Sequence, residues 1–120
     1  MSLRRGPQTR RRFRRLTVRL LVDFVASGRV RCEYATTLGA GGLFVETEDP
    51  VAPGTPVKVR FRLPGAERLH EIEGRVVWWQ PATPDATRAC GMGVTFTDAV
   101  AISALARDLE GLDAPESPER

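Results

Sequence analysis

Cysteine and histidine are nearly missing from this chain: Cys32, Cys90 and His70 are the only ones among its 120 residues. Two cysteines cannot staple a small secreted scaffold, and neither has a close neighbour at metal-ligand spacing. One histidine leaves a zinc centre short of ligands, so no metal site is expected. The pattern fits a cytoplasmic protein with free, partly buried thiols. Long apolar runs are missing too; nothing approaches the roughly 18 residues of a membrane span. The first residues meet arginine rather than an apolar core, so no signal peptide is expected. Aromatic residues make up only 7%. Lysine occurs once, at Lys58, and every other basic residue is arginine, whose planar fork grips phosphate bidentately and stacks on flat rings.

What is present is ordinary globular material, 42% hydrophobic and 28% charged, in a length that suits one small domain. The net charge of +3 hides a split. Residues 1–31 carry ten arginines against the single acid Asp23, a net +9, whereas residues 32–120 sum to −6. The chain reads as a near-ordinary domain with an anion-seeking N-terminal arm.

Periodicity organises the rest. Residues 1–9 have none and read as a flexible arm. Leu16, Val18, Leu20, Val22 and Phe24 alternate with Thr17, Arg19 and Asp23, the period-2 mark of a half-buried strand. A turn at Ala26-Ser27-Gly28 leads to a second strand in which Val30, Cys32 and Tyr34 alternate with Arg31 and Glu33. Leu43 to Thr47 forms a third strand after a glycine-rich connection. Val57, Val59, Phe61 and Leu63 alternate with Lys58, Arg60 and Arg62 in the fourth. Leu69 to Trp79 is the fifth, with Ile72, Val76 and Trp78 sharing a face and Gly74 marking a bulge. The adjacent Trp78 and Trp79 should face opposite ways unless a bulge intervenes, one in the core and one outward. Pro81 to Thr87 is a loop, and Gly91 to Phe96 is the sixth strand. Asp98 then caps a helix of about three turns whose stripe is Ile102, Leu105, Leu109 and Leu112, with Gly111 as its stop. Residues 113–120 should be disordered.

Six strands in series without intervening helices predict a mainly β fold: a six-stranded antiparallel, split β-barrel with one C-terminal α-helix covering an end or edge. An edge strand of such a barrel could pair with a second copy in a homodimer.

Catalytic candidates are scarce. His70 is expected on the exposed face between Leu69 and Glu71. Neither cysteine has an adjacent histidine to activate it, and Glu71 with Glu73 reads as a solvated charged face. No catalytic residues and no enzyme activity are expected. The glycines at 39–42 lack the strand-to-helix context of a nucleotide loop, because Leu43 continues as a strand. They read as a tight turn or as a place where another backbone or a ligand comes close. The remaining feature is Arg10-Arg11-Arg12-Phe13-Arg14-Arg15, directly before the first strand. As a structural element it is a solvated tail; as a functional one it is an anion-binding cluster.

Taken in order, these pieces resemble the PilZ domain, the bacterial receptor module for cyclic di-GMP, over about residues 10–112. That family carries RxxxR before the first strand and [D/N]xSxxG between the second and third. Arg11-Arg12-Phe13-Arg14-Arg15 fits the first, with Arg11 and Arg15 as its ends. Thr37-Leu38-Gly39-Ala40-Gly41-Gly42 occupies the second, where Gly42 matches but Thr37 replaces the acid or amide and Gly39 the serine. Gly42-Leu43-Phe44-Val45, Pro53-Gly54, Gly74-Arg75-Val76-Val77-Trp78 and Gly91-Met92-Gly93-Val94-Thr95-Phe96 also look like the family. The resemblance implies a ligand, cyclic di-GMP, held by Arg10, Arg11, Arg12, Arg15, Thr37, Gly39 and Gly42. Arg11, Arg12 and Arg15 would clamp phosphates and guanine edges, and Arg10 would influence whether one ligand or an intercalated pair is held. It also implies a partner protein, in motility or surface-behaviour machinery.

Three functions follow: a non-enzymatic cyclic di-GMP receptor or adaptor, which is preferred; a PilZ-like interaction module whose ligand binding has weakened or been lost through Thr37 and Gly39; and, third, nonspecific nucleic-acid binding by the arm. The third predicts a steep salt dependence and little preference for any dinucleotide, and absence of duplex oligonucleotide binding at about 50 mM salt in an anisotropy titration removes it.

Overall fold

The computed structural model describes residues 16–80 and 90–113. Alternation in the sequence becomes six strands: β1 (Leu16–Ala26), β2 (Arg29–Gly39), β3 (Gly42–Glu46), β4 (Pro56–Arg62), β5 (Leu69–Gln80) and β6 (Gly91–Phe96), followed by helix α1 (Ala99–Asp113). Every neighbouring pair is antiparallel, and the order β1-β2-β3-β6-β5-β4 closes on itself. Closure is made by Asp23–Ala26 of β1 against Val57–Arg60 of β4. Along those residues closure pairs the amides and carbonyls that an open sheet edge would leave free.

The ring has an inside and an outside, so each strand buries alternate residues. Phe24, Ala35, Leu38, Leu43, Val45, Val59, Phe61, Ile72, Val76, Met92 and Val94 fill the interior. Leu105 and Leu109 of α1 join the same core. The β1–β2 turn is set by Ser27 (φ 53°) and Gly28 (φ 77°), two successive positive φ values whose twist matches that of the flanking strands.

The hairpin beyond this turn departs from the simple pattern. Val30, Cys32 and Tyr34 face solvent, while Arg31 and Glu33 lie on the core side of the rim. Register explains this: Phe24 pairs with Arg31 and Val22 with Glu33, so the charged alternants share the inward face. They are tolerated there because they are paired. Arg31 Nη1 donates to Asp49 Oδ2 at 3.1 Å, its Nε is 3.5 Å from Glu33 Oε2, and its guanidinium lies 5.5 Å from the Phe24 ring centroid. Thr47 Oγ1 donates to the same Glu33 oxygen. Cys32, expected to be partly buried, is exposed; Cys90 is half-buried, and both are free.

Three expectations are corrected on β5 and α1. His70 is inside, with 4% of its surface exposed. It lies two residues before Ile72 and therefore shares that residue's face, while Leu69 and Glu71 point out. Its ring stacks on Phe61, and Nε2 is 2.9 Å from Asp108 Oδ2 of α1. Arg68 Nε reaches the same oxygen at 3.1 Å, so the carboxylate acts as acceptor for both and Nε2 carries a proton. Gly74 is regularly paired with Val57 and Phe96, and the β5 bulge falls instead between Val76 and Trp78. Gly111 does not stop α1, which continues to Asp113, a residue expected in the tail; residues 114–120, the N-terminal arm with the arginine run, and the expected Pro81–Thr87 loop lie outside the described residues. Asp98 caps the helix as expected, its Oδ1 accepting from the amides of Val100 and Ala101. Glu71, with Lys58 Nζ at 3.4 Å, belongs to a solvated charge ladder.

Because His70 fastens α1 to the barrel from a buried position, His70→Ala should lower stability by about 2 kcal/mol. Asp108 is partly solvated, so Asp108→Asn should cost less, about 1 kcal/mol. Urea midpoints with unchanged slopes measure both, and equal stability of His70→Ala and wild type would refute the latch.

Candidate functional site

Two bulges shape the outer surface between β2 and β5. On β2, Ala35 pairs with Val45 but Thr37 with Phe44, so Thr36 is an extra residue against β3. That extra residue reverses the alternation, sending Leu38 inward and turning Thr37 and Gly39 to the outer side shared by Gly42 and Phe44. On β5, Val76 pairs with Val94 but Trp78 with Gly93. Val77 is the extra residue, and Trp78 turns outward instead of continuing the buried face of Ile72 and Val76. Trp79 then pairs with the inward Met92 at the end of β5, yet both tryptophans are about half exposed. Neither is a core residue, which corrects the expectation for Trp78.

β2 runs on through Gly39, so Thr37 and Gly39 stand on a strand rather than in a loop, and Ala40-Gly41 is the two-residue turn to Gly42. Of the two readings of the glycine cluster, close approach holds at Gly42: a β-carbon there would collide with the carbonyl oxygen of Val94. The positive φ values of the described residues lie elsewhere, at Ser27, Gly28, Gly54 and Gly65. Gly41 anchors the turn to β6, its carbonyl accepting from Phe96 N at 2.9 Å.

The result is an outward groove of about 420 Å³ whose floor is glycine backbone and whose walls are Phe44, Val77, Trp78 and Thr95. Gly39 and Gly42 meet in it as a register pair. Thr37 is on the same outer side, half-buried and paired with Phe44. No charged side chain lines the groove among the described residues. The nearest cation in register is Arg75, exposed and paired with Thr95.

Arg10, Arg11, Arg12 and Arg15 lie outside the described residues. Where their segment is attached is nevertheless defined. Leu16 pairs with Leu38 and Thr17 with Thr37, so the covalent continuation of the arginine run begins one residue from Gly39. The chain thus joins its most cationic stretch to the rim of a groove without charge of its own. Phe44, Trp78, Gly93 and Thr95 were not singled out as site residues from the sequence. Phe44 was accessible to that reasoning, because it alternates with Leu43 and Val45; Trp78 was not, because its face depends on the bulge.

The PilZ domain family model matches residues 9–111. Among solved structures, the chain is similar to the Bacillus subtilis inhibitor of motility MotI/DgrA, with a TM-score of 0.68 and 20% identity. That match covers 88% of this chain but 52% of MotI/DgrA, so the chain spans about half the length of that protein. It is also similar to the PilZ domain of CeSA from a cellulose-synthesizing bacterium (TM-score 0.58, 20% identity, 81% of this chain and 98% of that one). A third similar structure is an uncharacterized Legionella protein, at TM-score 0.56 and 11% identity, covering 88% and 99% of the two chains. None of the curated proteins matches. At these identities the structures speak to fold alone, whereas the family model covers most of the sequence: the chain belongs to the PilZ domain family, the family of cyclic di-GMP receptors.

Proposed function

We propose that this protein is a non-enzymatic cyclic di-GMP receptor or adaptor. The observation that supports it most is the pairing of Leu16 with Leu38, which sets the residue that follows the arginine run in sequence beside the end of β2 that carries Gly39. In this reading Arg11, Arg12 and Arg15 supply charge-assisted hydrogen bonds to the phosphates and to guanine O6 and N7, and Arg10 governs stoichiometry. The groove supplies the opposite wall, with Gly39 and Gly42 in its lining and the rings of Phe44 and Trp78 beside them. Binding joins arm and barrel into one new surface, which a partner protein reads. MotI/DgrA is an inhibitor of motility, which makes motility machinery the first place to look for that partner.

A second reading rests on a specific observation. Thr37 is half-buried on the outer side and Gly39, though buried, lines the groove, and these are the two positions where the acid or amide and the serine are replaced. Thr37 offers a hydroxyl in place of a carboxylate or amide edge, and Gly39 offers no side chain. Each lost hydrogen bond weakens binding by about 1–3 kcal/mol, roughly tenfold to a hundredfold. If those losses dominate, the domain docks to its partner without ligand.

Calorimetry separates the two. The wild type should bind cyclic di-GMP, and the Arg11→Ala/Arg15→Ala variant should bind at least about a hundredfold more weakly, because two charge-assisted contacts disappear. Heat in neither protein at high micromolar ligand refutes the receptor reading. The Thr37→Asp/Gly39→Ser variant should bind about tenfold or more tightly than wild type. Binding confined to that restored variant selects the interaction module.

A further inference from the structure

The outer face of the β1–β2 hairpin is apolar where the solvated side of a sheet is ordinarily polar. Three cross-strand pairs point outward there: Leu21 with Tyr34, Asp23 with Cys32, and Val25 with Val30. Leu21 is 51% exposed, Val30 63% and Tyr34 40%, and Cys32 is exposed among them. The alternating residues Val22, Phe24 and Ala35 already fill the core side, so these side chains have no interior to enter. Helix α1 packs elsewhere, at β5, where Asp108 meets His70. A contiguous apolar surface left open on a sheet face marks a place where another protein docks.

Two charges on β1 say what fits it. Arg19 and Asp23 flank Leu21 on the same exposed face, one on either side. Arg19 is held over the sheet, its guanidinium carbon 4.2 Å from the centroid of the Tyr34 ring. Asp23 makes no ion pair among the described residues; Arg60, its neighbour across to β4, lies 3.8 Å from Glu71 instead. The order cation, apolar residue, anion becomes its own complement when reversed. A two-fold axis that lies in the interface and crosses β1 at Leu21 runs the two copies of β1 in opposite directions. Leu21 then meets Leu21, and Arg19 of each copy meets Asp23 of the other, as an isologous contact requires. An axis along β1 would face like charges with like, which is unfavourable. The opposed arrangement also sets the two Leu16 residues, where each +9 stretch joins its barrel, at opposite ends of the contact.

We propose that the outer face of the β1–β2 hairpin docks a second copy of this chain, with Leu21 and Tyr34 at the centre and Arg19–Asp23 pairs on either side. The contact is sheet face against sheet face, so the ring of strands stays closed and no free edge is needed. It requires no ligand and is independent of the receptor reading above. The apolar centre supplies the affinity, while the paired charges choose the partner and its direction. A patch built from one hairpin belongs at the small end of protein interfaces, so the dimer is weak and forms at high chain concentration.

The test is sedimentation equilibrium of the full chain without ligand, from about 10 μM to about 1 mM, the range that populates small interfaces. The wild type should follow a monomer–dimer equilibrium. Leu21→Asp should weaken it at least about tenfold by placing two charges at the centre of the contact. Val100→Asp, at an apolar residue of α1 that is 80% exposed, is the control and should leave it within about twofold. Arg19→Asp and Asp23→Arg should each weaken self-association about tenfold, because each opposes like charges twice. Mixed in equal amounts, those two variants should pair with each other at about wild-type strength, and the double variant Arg19→Asp/Asp23→Arg should pair with itself. Every substituted side chain is exposed, and equal urea midpoints confirm that the fold is kept. A monomer at every concentration gives the face to a different protein and overturns the proposal. So does a dimer indifferent to Leu21→Asp, or a mixture of the two charge variants that does not pair.

Discussion

A closed ring of strands has one buried side, and a single extra residue in a strand reverses which side that is. The shape of the candidate groove depends on that constraint. At Thr36 the reversal turns Leu38 inward and carries Thr37 and Gly39 outward; at Val77 it turns Trp78 out of the core. Without the first bulge the β2 end of the motif would face the interior. Without the second, an indole would have to fit among Ile72, Val76 and Met92, side chains already close-packed.

The same constraint explains where polar groups enter the core. Arg31, Glu33 and His70 all stand at inward positions, and each has a partner there. At the rim, Arg31 ties the β1–β2 hairpin to Asp49 and packs against Phe24. Where α1 meets the barrel, His70 joins β5 to Asp108. Both closures sit away from the groove, so the surface between β2 and β5 is left with glycine and aromatic residues while structural polar contacts are concentrated elsewhere. A floor of backbone with rings laid across it is stable without ligand, because its hydrogen bonds are those of the sheet itself.

Much of the fold was legible in the residue order. Leu16 to Phe24 and Val57 to Leu63 alternate cleanly enough to define strands, and Asp98 marks the start of α1. Part of the candidate groove was legible as well, in Gly42 as a close approach; the arginine run named from the sequence lies outside the described residues. Trp78 was not legible, since an extra residue in a strand leaves no mark on composition or propensity. His70 was misplaced for a different reason. Its flanking residues suggested a polar face, but burial in a strand follows position parity, and parity with Ile72 puts it inside.

By itself, then, the sequence determined the class of fold, the order of elements, the split between a +9 N-terminal stretch and a −6 body, the family motif at 11–15 and the departure from its second motif at Thr37 and Gly39. Those properties are local or additive, so they can be read along the chain. Tertiary structure alone decided that the start of β1 lies against the end of β2, that Phe44 and Trp78 meet over Gly93, and that α1 is fastened through His70. These depend on register between strands distant in sequence. Register is settled by how the whole ring packs its interior, because a one-residue slip in any strand exchanges its buried and exposed faces.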